Sequence, residues 1–180
     1  MAFVGFSGCT TNETETATEV ETAETTTDAM TEDEAIAMDT WDADRFSTSF
    51  DSNNKFDAWD LDDDGMLDEN EFGTTFYSTW DANRDNMLDE NEWNAGVADF
   101  GLTGQSWAAW DANKDNALSS AEFNAGLKQQ NYMRNWDKDN DGRINKREYT
   151  DGVFMLWDTN RDGMLDTNEY NTRYNRYYGL

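Results

Sequence analysis

One twelve-residue pattern, repeated five times, constrains the fold of this chain more than any other feature. It reads D-x-[DN]-x-D-[GN]-x-[LI]-x-x-x-E, with Trp directly before it and an aromatic residue directly after it. The copies, numbered here as loops 1 to 5, occupy residues 60–71, 81–92, 111–122, 137–148 and 158–169. A single copy arises readily by chance in an acidic chain, but five copies with the same flanking aromatic residues indicate a repeated cation-binding loop.

The spacing of oxygen-bearing residues in each loop suits a hard cation with six or more oxygen ligands. Side chains at positions 1, 3 and 5 point inward, position 7 offers a carbonyl, position 9 acts through water, and Glu at position 12 binds with both oxygens. The predicted ligands are Asp60, Asp62, Asp64, Met66, Asp68 and Glu71 in loop 1; Asp81, Asn83, Asp85, Met87, Asp89 and Glu92 in loop 2; Asp111, Asn113, Asp115, Ala117, Ser119 and Glu122 in loop 3; Asp137, Asp139, Asp141, Arg143, Asn145 and Glu148 in loop 4; and Asp158, Asn160, Asp162, Met164, Asp166 and Glu169 in loop 5.

Two other loop positions carry structural requirements. Position 6 needs a positive φ, which glycine adopts freely and asparagine adopts at some cost. Loops 2 and 3 have Asn86 and Asn116 there instead of glycine, so we expect them to bind a cation more weakly. Position 8 is apolar in every loop: Leu67, Leu88, Leu118, Ile144 and Leu165.

With these residues the chain resembles the EF-hand family of calcium-binding proteins, over essentially all of residues 60–169. The resemblance implies an all-α fold, about five Ca²⁺ ions, and position-8 residues that join loops in pairs through short β-bridges. A dockerin-like module, which also repeats short calcium loops, is the weaker alternative, because the Trp before every loop fits the EF hand better.

Aromatic residues frame every loop. Those before the loops should end the incoming helices, and those after them should begin the outgoing helices. The two sets are Trp59, Trp80, Trp110, Trp136 and Trp157, and Phe72, Trp93, Phe123, Tyr149 and Tyr170. Because such side chains are usually buried, we expect a shared aromatic core rather than a surface for sugars or bases. Acids outside the pattern, such as Asp57, Asp99 and Asp151, are interpreted as solvent-exposed.

Composition excludes several classes of function. The chain has 39 Asp and Glu, 13 Lys and Arg, and a formal charge of -26, so we expect no binding to nucleic acid or to anionic lipid. It has no histidine and only one cysteine, which argues against hydrolytic triads, zinc sites and an intrachain disulfide. We therefore predict that the protein is not an enzyme. Five divalent ions would reduce the negative charge from -26 to about -16, so metal should favour the compact state.

The first 40 residues differ from the rest. Residues 6–9 resemble the end of a bacterial lipoprotein signal, with Cys9 as the lipidated residue, although the segment before them lacks the charge and apolar length of a signal peptide. Residues 10–39 are rich in Thr and Glu and predict a disordered acidic tail before a folded domain over 41–180. A lipid-anchored tether outside the cytoplasm and an ordinary flexible tail both remain open.

The folded part is interpreted as two pseudo-symmetric halves. A shift of 77 residues lays 46–100 on 123–177 without a gap. Extended backward, the same register places residues 34–45 opposite loop 3. There Ile36, Met38 and Arg45 replace ligands, whereas Trp41 at position 8 and the following Phe46 are retained for packing. We call residues 34–100 half A and residues 111–177 half B.

Short intervals between loops predict helices that consecutive loops share. Segments 72–80 and 149–157 are long enough for one short helix each, with an apolar residue every fourth position. Segments 46–59 and 123–136 change their apolar face midway, and we expect a single helix, straight or kinked, in each. The sequence Gly-Leu-Thr-Gly at 101–104 predicts a helix-ending turn that pairs loops 2 and 3. The pseudo-twofold would pair loop 1 with loop 4, and loop 5 with residues 34–45.

This compact spacing is similar to that of the lanmodulin family of bacterial lanthanide binders, as are the acids Asp68, Asp89 and Asp166 at position 9. The loops depart from that family at position 2, where it has proline and this chain has Leu61, Ala82, Ala112, Lys138 and Thr159. We therefore expect calcium, with a lanthanide as the alternative. For function, we favour a structural or buffering module outside the cytoplasm, with a calcium sensor that recruits a partner helix as the alternative.

Overall fold

The structure, a computed structural model, describes residues 40–179, and these are mostly helical as predicted. The helices are α1 Ala43–Asp51, α2 Lys55–Trp59, α3 Glu69–Trp80, α4 Glu90–Asp99, α5 Trp107–Trp110, α6 Ser120–Gln129, α7 Lys146–Trp157 and α8 Thr167–Tyr177, with a 3-10 helix over Tyr132–Asn135. Two strands, β1 Met66–Leu67 and β2 Ile144–Asn145, form a small sheet. No helix in this range is long and apolar enough to cross a bilayer. The predicted acidic tail and the signal-like residues around Cys9 lie outside the described residues.

Each helix that follows a loop starts at the same loop position. The position-9 residue is the N-cap: its side chain accepts a hydrogen bond from the backbone N–H of the position-12 Glu, and the Glu carboxylate accepts one from the N–H of position 9. This reciprocal capping box satisfies backbone donors that a helix start leaves unpaired. The loop sequence therefore also fixes where the next helix begins.

Consecutive loops share a helix where the short intervals predicted it. Helix α3 joins loop 1 to loop 2, and α7 joins loop 4 to loop 5. The apolar residues at every fourth position all lie in the core: Phe72, Phe76, Trp80, Tyr149, Val153 and Trp157. These predictions are confirmed.

The prediction of a single helix over 46–59 and over 123–136 was wrong. Helix α1 ends at Asp51 and α2 begins at Lys55, and α6 ends before the 3-10 helix in the same way. The breaks contain Asn54 and Asn131, each with a φ of 48°. A left-handed residue cannot continue a right-handed helix, and the turn it makes allows apolar residues on both of its sides to face one core.

The loops pair as the sequence predicted. Strands β1 and β2 are antiparallel, with Leu67 of loop 1 opposite Ile144 of loop 4. Isolated antiparallel bridges join Leu88 to Leu118, and Trp41 to Leu165. Loop 1 is therefore joined to loop 4, and loop 2 to loop 3, at their position-8 residues, and loop 5 is joined to Trp41.

The core is largely aromatic. Phe76 lies at its centre, with ring centroids 5.2 Å from both Phe100 and Trp136 and 6.0 Å from Tyr149. Most of the aromatic residues that frame the loops are buried, and Trp59 and Tyr170 are partly buried against the same cluster. Aromatic pairs at these separations add to the free energy of burial. This confirms the predicted shared core.

Candidate metal centres

All five loops are closed by the carboxylate at position 12. In loop 1, Glu71 Oε1 accepts a hydrogen bond from the N–H of Leu61 at 2.7 Å, and Oε2 accepts one from the N–H of Asp68 at 2.9 Å. The other four loops repeat these bonds between position 12 and positions 2 and 9. The final Glu therefore ties the beginning of its loop to the end.

The first acid of each loop folds the loop around itself. In loop 1, Asp60 Oδ2 accepts a hydrogen bond from the N–H of Gly65 at 2.7 Å. The same bond between positions 1 and 6 occurs in the other loops at 2.9 to 3.1 Å. In all five loops the position-5 carboxylate also accepts a bond from the N–H of position 7. These bonds hold the acidic side chains on the inner side of the turn.

Position 6 has the predicted positive φ in every loop, 64° at Asn86 and 66° at Asn116 against 83° to 87° in the three glycines. Each loop also has a second left-handed position, which was not predicted from the sequence. Position 4 also has a positive φ, between 57° and 61°, at Asp63, Arg84, Lys114, Asn140 and Arg161. Non-glycine residues seldom adopt this conformation, so each loop holds its backbone turned at two places.

Several of the predicted ligands are buried acids without a basic partner. Asp60, Asp81 and Asp111 at position 1 are 5 to 8% exposed. Glu71, Glu148 and Glu169 at position 12 are 6 to 7% exposed. Within residues 40–179, no Lys or Arg forms an ion pair with any of these six. Buried charges are costly unless they are paired or coordinate a metal.

Two loops bring three carboxylates within reach of one ion. Oxygens of Asp60, Asp62 and Glu71 lie within 4.8 Å of one another, as do those of Asp137, Asp139 and Asp141. Asp137 Oδ1 is buried and has no hydrogen-bond partner among the described residues. An all-oxygen set with a free buried oxygen fits a hard divalent cation.

The pKa values of two predicted ligands, Asp62 and Glu122, shift in opposite directions. The pKa of Asp62 is raised, first by desolvation and then by the charge of nearby Glu71. The pKa of Glu122 is lowered, chiefly by hydrogen bonds from the backbone and side chain of Ser119. A cation in loop 1 would relieve the repulsion between Asp62 and Glu71.

The segment opposite loop 5 keeps the shape of a loop end but has a base in place of the position-12 Glu. Trp41 forms the bridge to Leu165, and Asp42 caps α1 by accepting a hydrogen bond from the N–H of Arg45 at 2.7 Å. Arg45 stands at position 12, and its guanidinium lies 5.6 Å from the Trp41 ring. Trp41 also stacks on Tyr170 at 4.3 Å, so this segment packs as predicted. Ile36 and Met38 lie outside the described residues.

The interpretation of Asp99 as solvent-exposed was wrong. Its side chain is 12% exposed and forms ion pairs with Arg173 at 2.9 Å and Arg176 at 3.0 Å. It also accepts a hydrogen bond from the Tyr177 hydroxyl at 2.7 Å. Asp57 is exposed as predicted, at 66%, whereas Asp151 is half-buried and forms an ion pair with Arg147 at 2.8 Å. Asp99 ends α4 and its partners lie on α8, a contact that no local pattern encodes.

Sequence reasoning also missed how tryptophans before the loops are held. A Cβ at Gly96, Gly126 or Gly152 would overlap the ring of Trp80, Trp110 or Trp136, respectively. Each of these glycines stands fifteen residues after the first Asp of its loop. That constant spacing was the signal that could have revealed them.

The fold and loop geometry agree with a known family. Residues 150–172 match the EF hand family model. The match runs from α7 through loop 5 into α8, supports an EF-hand family for this region, and indicates calcium binding. EF hands are typically non-enzymatic calcium-binding modules. No curated protein sequence matches the chain.

Proposed function

We propose that the protein binds about five calcium ions, one in each loop, and that these ions complete its fold. The main support for calcium binding is that carboxylates at positions 1 and 12 are buried and have no basic partner among the described residues. The proposed ligands are those predicted from the sequence, at positions 1, 3, 5, 7, 9 and 12 of each loop. A bound Ca²⁺ supplies the positive charge that these oxygens lack.

Calcium is favoured over a lanthanide partly because the position-9 acids act as helix N-caps. The side chains of Asp68, Asp89 and Asp166 each cap the following helix through one oxygen. Only the other oxygen remains to reach an ion, through water. These acids are thus explained by helix capping without a trivalent ion.

A structural or buffering role is favoured over a sensor. A sensor has to separate its helices to open an apolar groove when calcium binds. Three loop pairings and one aromatic core instead join the loops into a single unit. Extracytoplasmic placement, with anchoring through Cys9, stays part of this proposal on sequence grounds alone.

Calorimetric titration of the metal-free protein with Ca²⁺, followed by La³⁺, tests the proposal. We expect about five calcium sites, and micromolar affinity would point to sensing whereas submillimolar affinity would point to an extracellular module. Circular dichroism and tryptophan fluorescence in excess chelator should show lost helix and exposed indoles. Identical spectra with chelator and with calcium would contradict the dependence of folding on metal.

A matched pair of variants tests the ligand assignment. Glu71→Gln replaces a buried position-12 carboxylate and should abolish one calcium site. Asp63→Asn removes one charge from the same loop at position 4, which is not a predicted ligand and whose positive φ asparagine tolerates. The number of sites should be unchanged in Asp63→Asn. Equal losses in both variants would show that general charge, not coordination, sets binding.

A further inference from the structure

A cavity beside loop 2 has a lining whose charge is opposite to that of the chain. Its volume is about 350 Å³, and three bases, Lys55, Arg84 and Arg176, line it with a single acid, Asp81. The whole chain has three acids for every base, 39 against 13. The lining of this cavity is therefore enriched in bases relative to the whole chain.

Two of these bases have no acidic partner. The side chains of Lys55 and Arg84 form no ion pair or hydrogen bond with any residue between 40 and 179. Arg176, by contrast, is held by Asp99 at 3.0 Å. Burial, and next the charge of Arg84, lower the pKa of Lys55. The cavity is short of negative charge.

The one acid in the lining does not supply that charge. Asp81 accepts backbone hydrogen bonds from Asp85 at 3.2 Å and from Asn86 at 2.9 Å, one at each oxygen. Its carboxylate is thereby turned into loop 2, where it is the position-1 residue. Lys55, half-buried, and Arg84, exposed, therefore offer positive charge that no side chain of the lining neutralises.

The rest of the lining sets the kind of anion. Trp59 and Tyr177 contribute ring surface, and the Tyr77 hydroxyl is already occupied by the carbonyls of Asn86 and Leu118 at 2.7 and 2.9 Å. A cavity of this size that combines charged and polar groups with some aromatic ring surface is within the range of small-molecule sites. We propose that it binds a small organic carboxylate, with its oxygens at Lys55 and Arg84 and its apolar part against Trp59 and Tyr177.

Binding is tested with benzoate as the probe, in excess calcium, by calorimetry and by amide chemical shifts in NMR spectra. Benzoate should bind with one-to-one stoichiometry and shift amides around the cavity. Benzyl alcohol, which has the ring but no charge, should not bind. Sulfate, which has the charge but no apolar part, should bind more weakly. Benzyl alcohol or sulfate binding as tightly as benzoate would overturn the assignment.

Matched variants separate this cavity from general charge effects. Lys55→Gln and Arg84→Gln should each weaken benzoate about tenfold or more, as expected for the loss of a charge-assisted hydrogen bond. Lys114→Gln and Arg161→Gln remove one charge each at position 4 of loops 3 and 5, outside the lining, and should leave benzoate affinity unchanged. Arg161 also aligns with Arg84 in the 77-residue register.

Two results would overturn the inference: benzoate affinity unaffected by Lys55→Gln and Arg84→Gln, or equal weakening in all four variants. Calcium stoichiometry is measured on the same samples. Normal calcium binding without benzoate binding would refute the carboxylate site alone, whereas absent calcium binding would refute the proposed function alone.

Discussion

Halves A and B close their loops in the same way but differ where they touch each other. Aligned residues meet at three places along the pseudo-twofold: Leu67 with Ile144, Phe100 with Tyr177, and Asp99 with Arg176. In a twofold pair of identical units, such positions would place identical residues face to face. Here an acid faces a base at 3.0 Å, a complementarity that two identical halves could not have.

The two helix contacts between the halves also differ in which helix carries the larger side chain. Helix α3 packs on α6, and the aligned helices α7 and α1 pack in the same way. At the first contact Gly73 lies against Asn124, and at the second Thr150 donates a hydrogen bond to Ser47 at 3.3 Å. A small residue on one side thus accompanies a larger one on the other. Oxygen geometry constrains the loops, whereas the interfaces need only preserve total volume.

The largest expected effect comes from forcing half B to adopt a residue of half A at the tryptophan contact. Gly152 aligns with Thr75, and a Cβ at Gly152 would overlap the Trp136 ring. Gly152→Thr should therefore destabilise the calcium-bound protein by about 2–3 kcal/mol, the usual cost of overpacking. Thermal or urea unfolding in excess calcium measures this loss.

The reverse change, Thr75→Gly, is the control for that substitution. It fills no space and removes a buried hydroxyl that has no partner among the described residues, at the cost of a glycine in α3. These effects oppose each other, so the net change should stay within about 1 kcal/mol. If Gly152→Thr is as mild as Thr75→Gly, the tryptophan contact does not distinguish the halves.

The second prediction concerns two substitutions that give the contact between α3 and α6 the same residue pair as the contact between α7 and α1. Gly73→Thr alone should cost about 1 kcal/mol, because its Cβ would displace the amide at the end of the Asn124 side chain. Adding Asn124→Ser recreates the Thr150 and Ser47 pair of the other interface and should recover at least half of that loss. Unfolding of both single variants and the double variant gives the coupling free energy. Additive losses would mean that the two contacts are not equivalent.

The structure could be predicted best from the sequence where one local pattern determines ligand positions, helix starts and loop pairing together. The loop positions, the shared helices α3 and α7 and the three loop pairings follow from twelve residues and their spacing. Sequence reasoning failed at Asn54 and Asn131, because a change of apolar face does not distinguish a kink from a left-handed break. It also failed at Asp99, whose partners lie more than 70 residues away, since pairing at that distance depends on tertiary packing.

A third prediction concerns a hydrogen bond that only half A has. The Tyr77 hydroxyl shares its one proton between the carbonyls of Asn86 in loop 2 and Leu118 in loop 3, whereas the aligned residue in half B is Phe154. Tyr77→Phe should cost about 1 kcal/mol of stability, measured by unfolding in calcium. Tyr170→Phe, which removes a hydroxyl that makes no hydrogen bond in the described part of the chain, should be nearly neutral. Equal effects would remove this difference between the halves.

The same hydroxyl gives that difference a pH dependence. Burial, followed by the charges of Asp81 and Asp85, raises the pKa of Tyr77 to about 12. The unfolded state therefore loses this proton near pH 10, the ordinary tyrosine pKa, before the folded state does. The advantage of wild type over Tyr77→Phe should shrink as pH rises from 10 towards 12. A constant difference across that range would contradict the linkage.

The smallest expected effect tests the one base among the position-7 residues. Loops 1, 2, 3 and 5 have Met or Ala there, but Arg143 of loop 4 forms an ion pair with Asp64, the position-5 acid of the paired loop 1. Because both side chains are partly exposed, the pair is worth about 0.2–1 kcal/mol. Arg143→Met should thus free Asp64 and raise the calcium affinity of loop 1 roughly two- to fivefold.

The Gly65 amide resonance reports loop 1 during a calcium titration, and that of Gly163 reports loop 5. Arg161→Met makes the same charge change in loop 5 and should leave the Gly65 midpoint unmoved; if it moves Gly65 as far as Arg143→Met does, long-range charge and not the ion pair sets the affinity of loop 1.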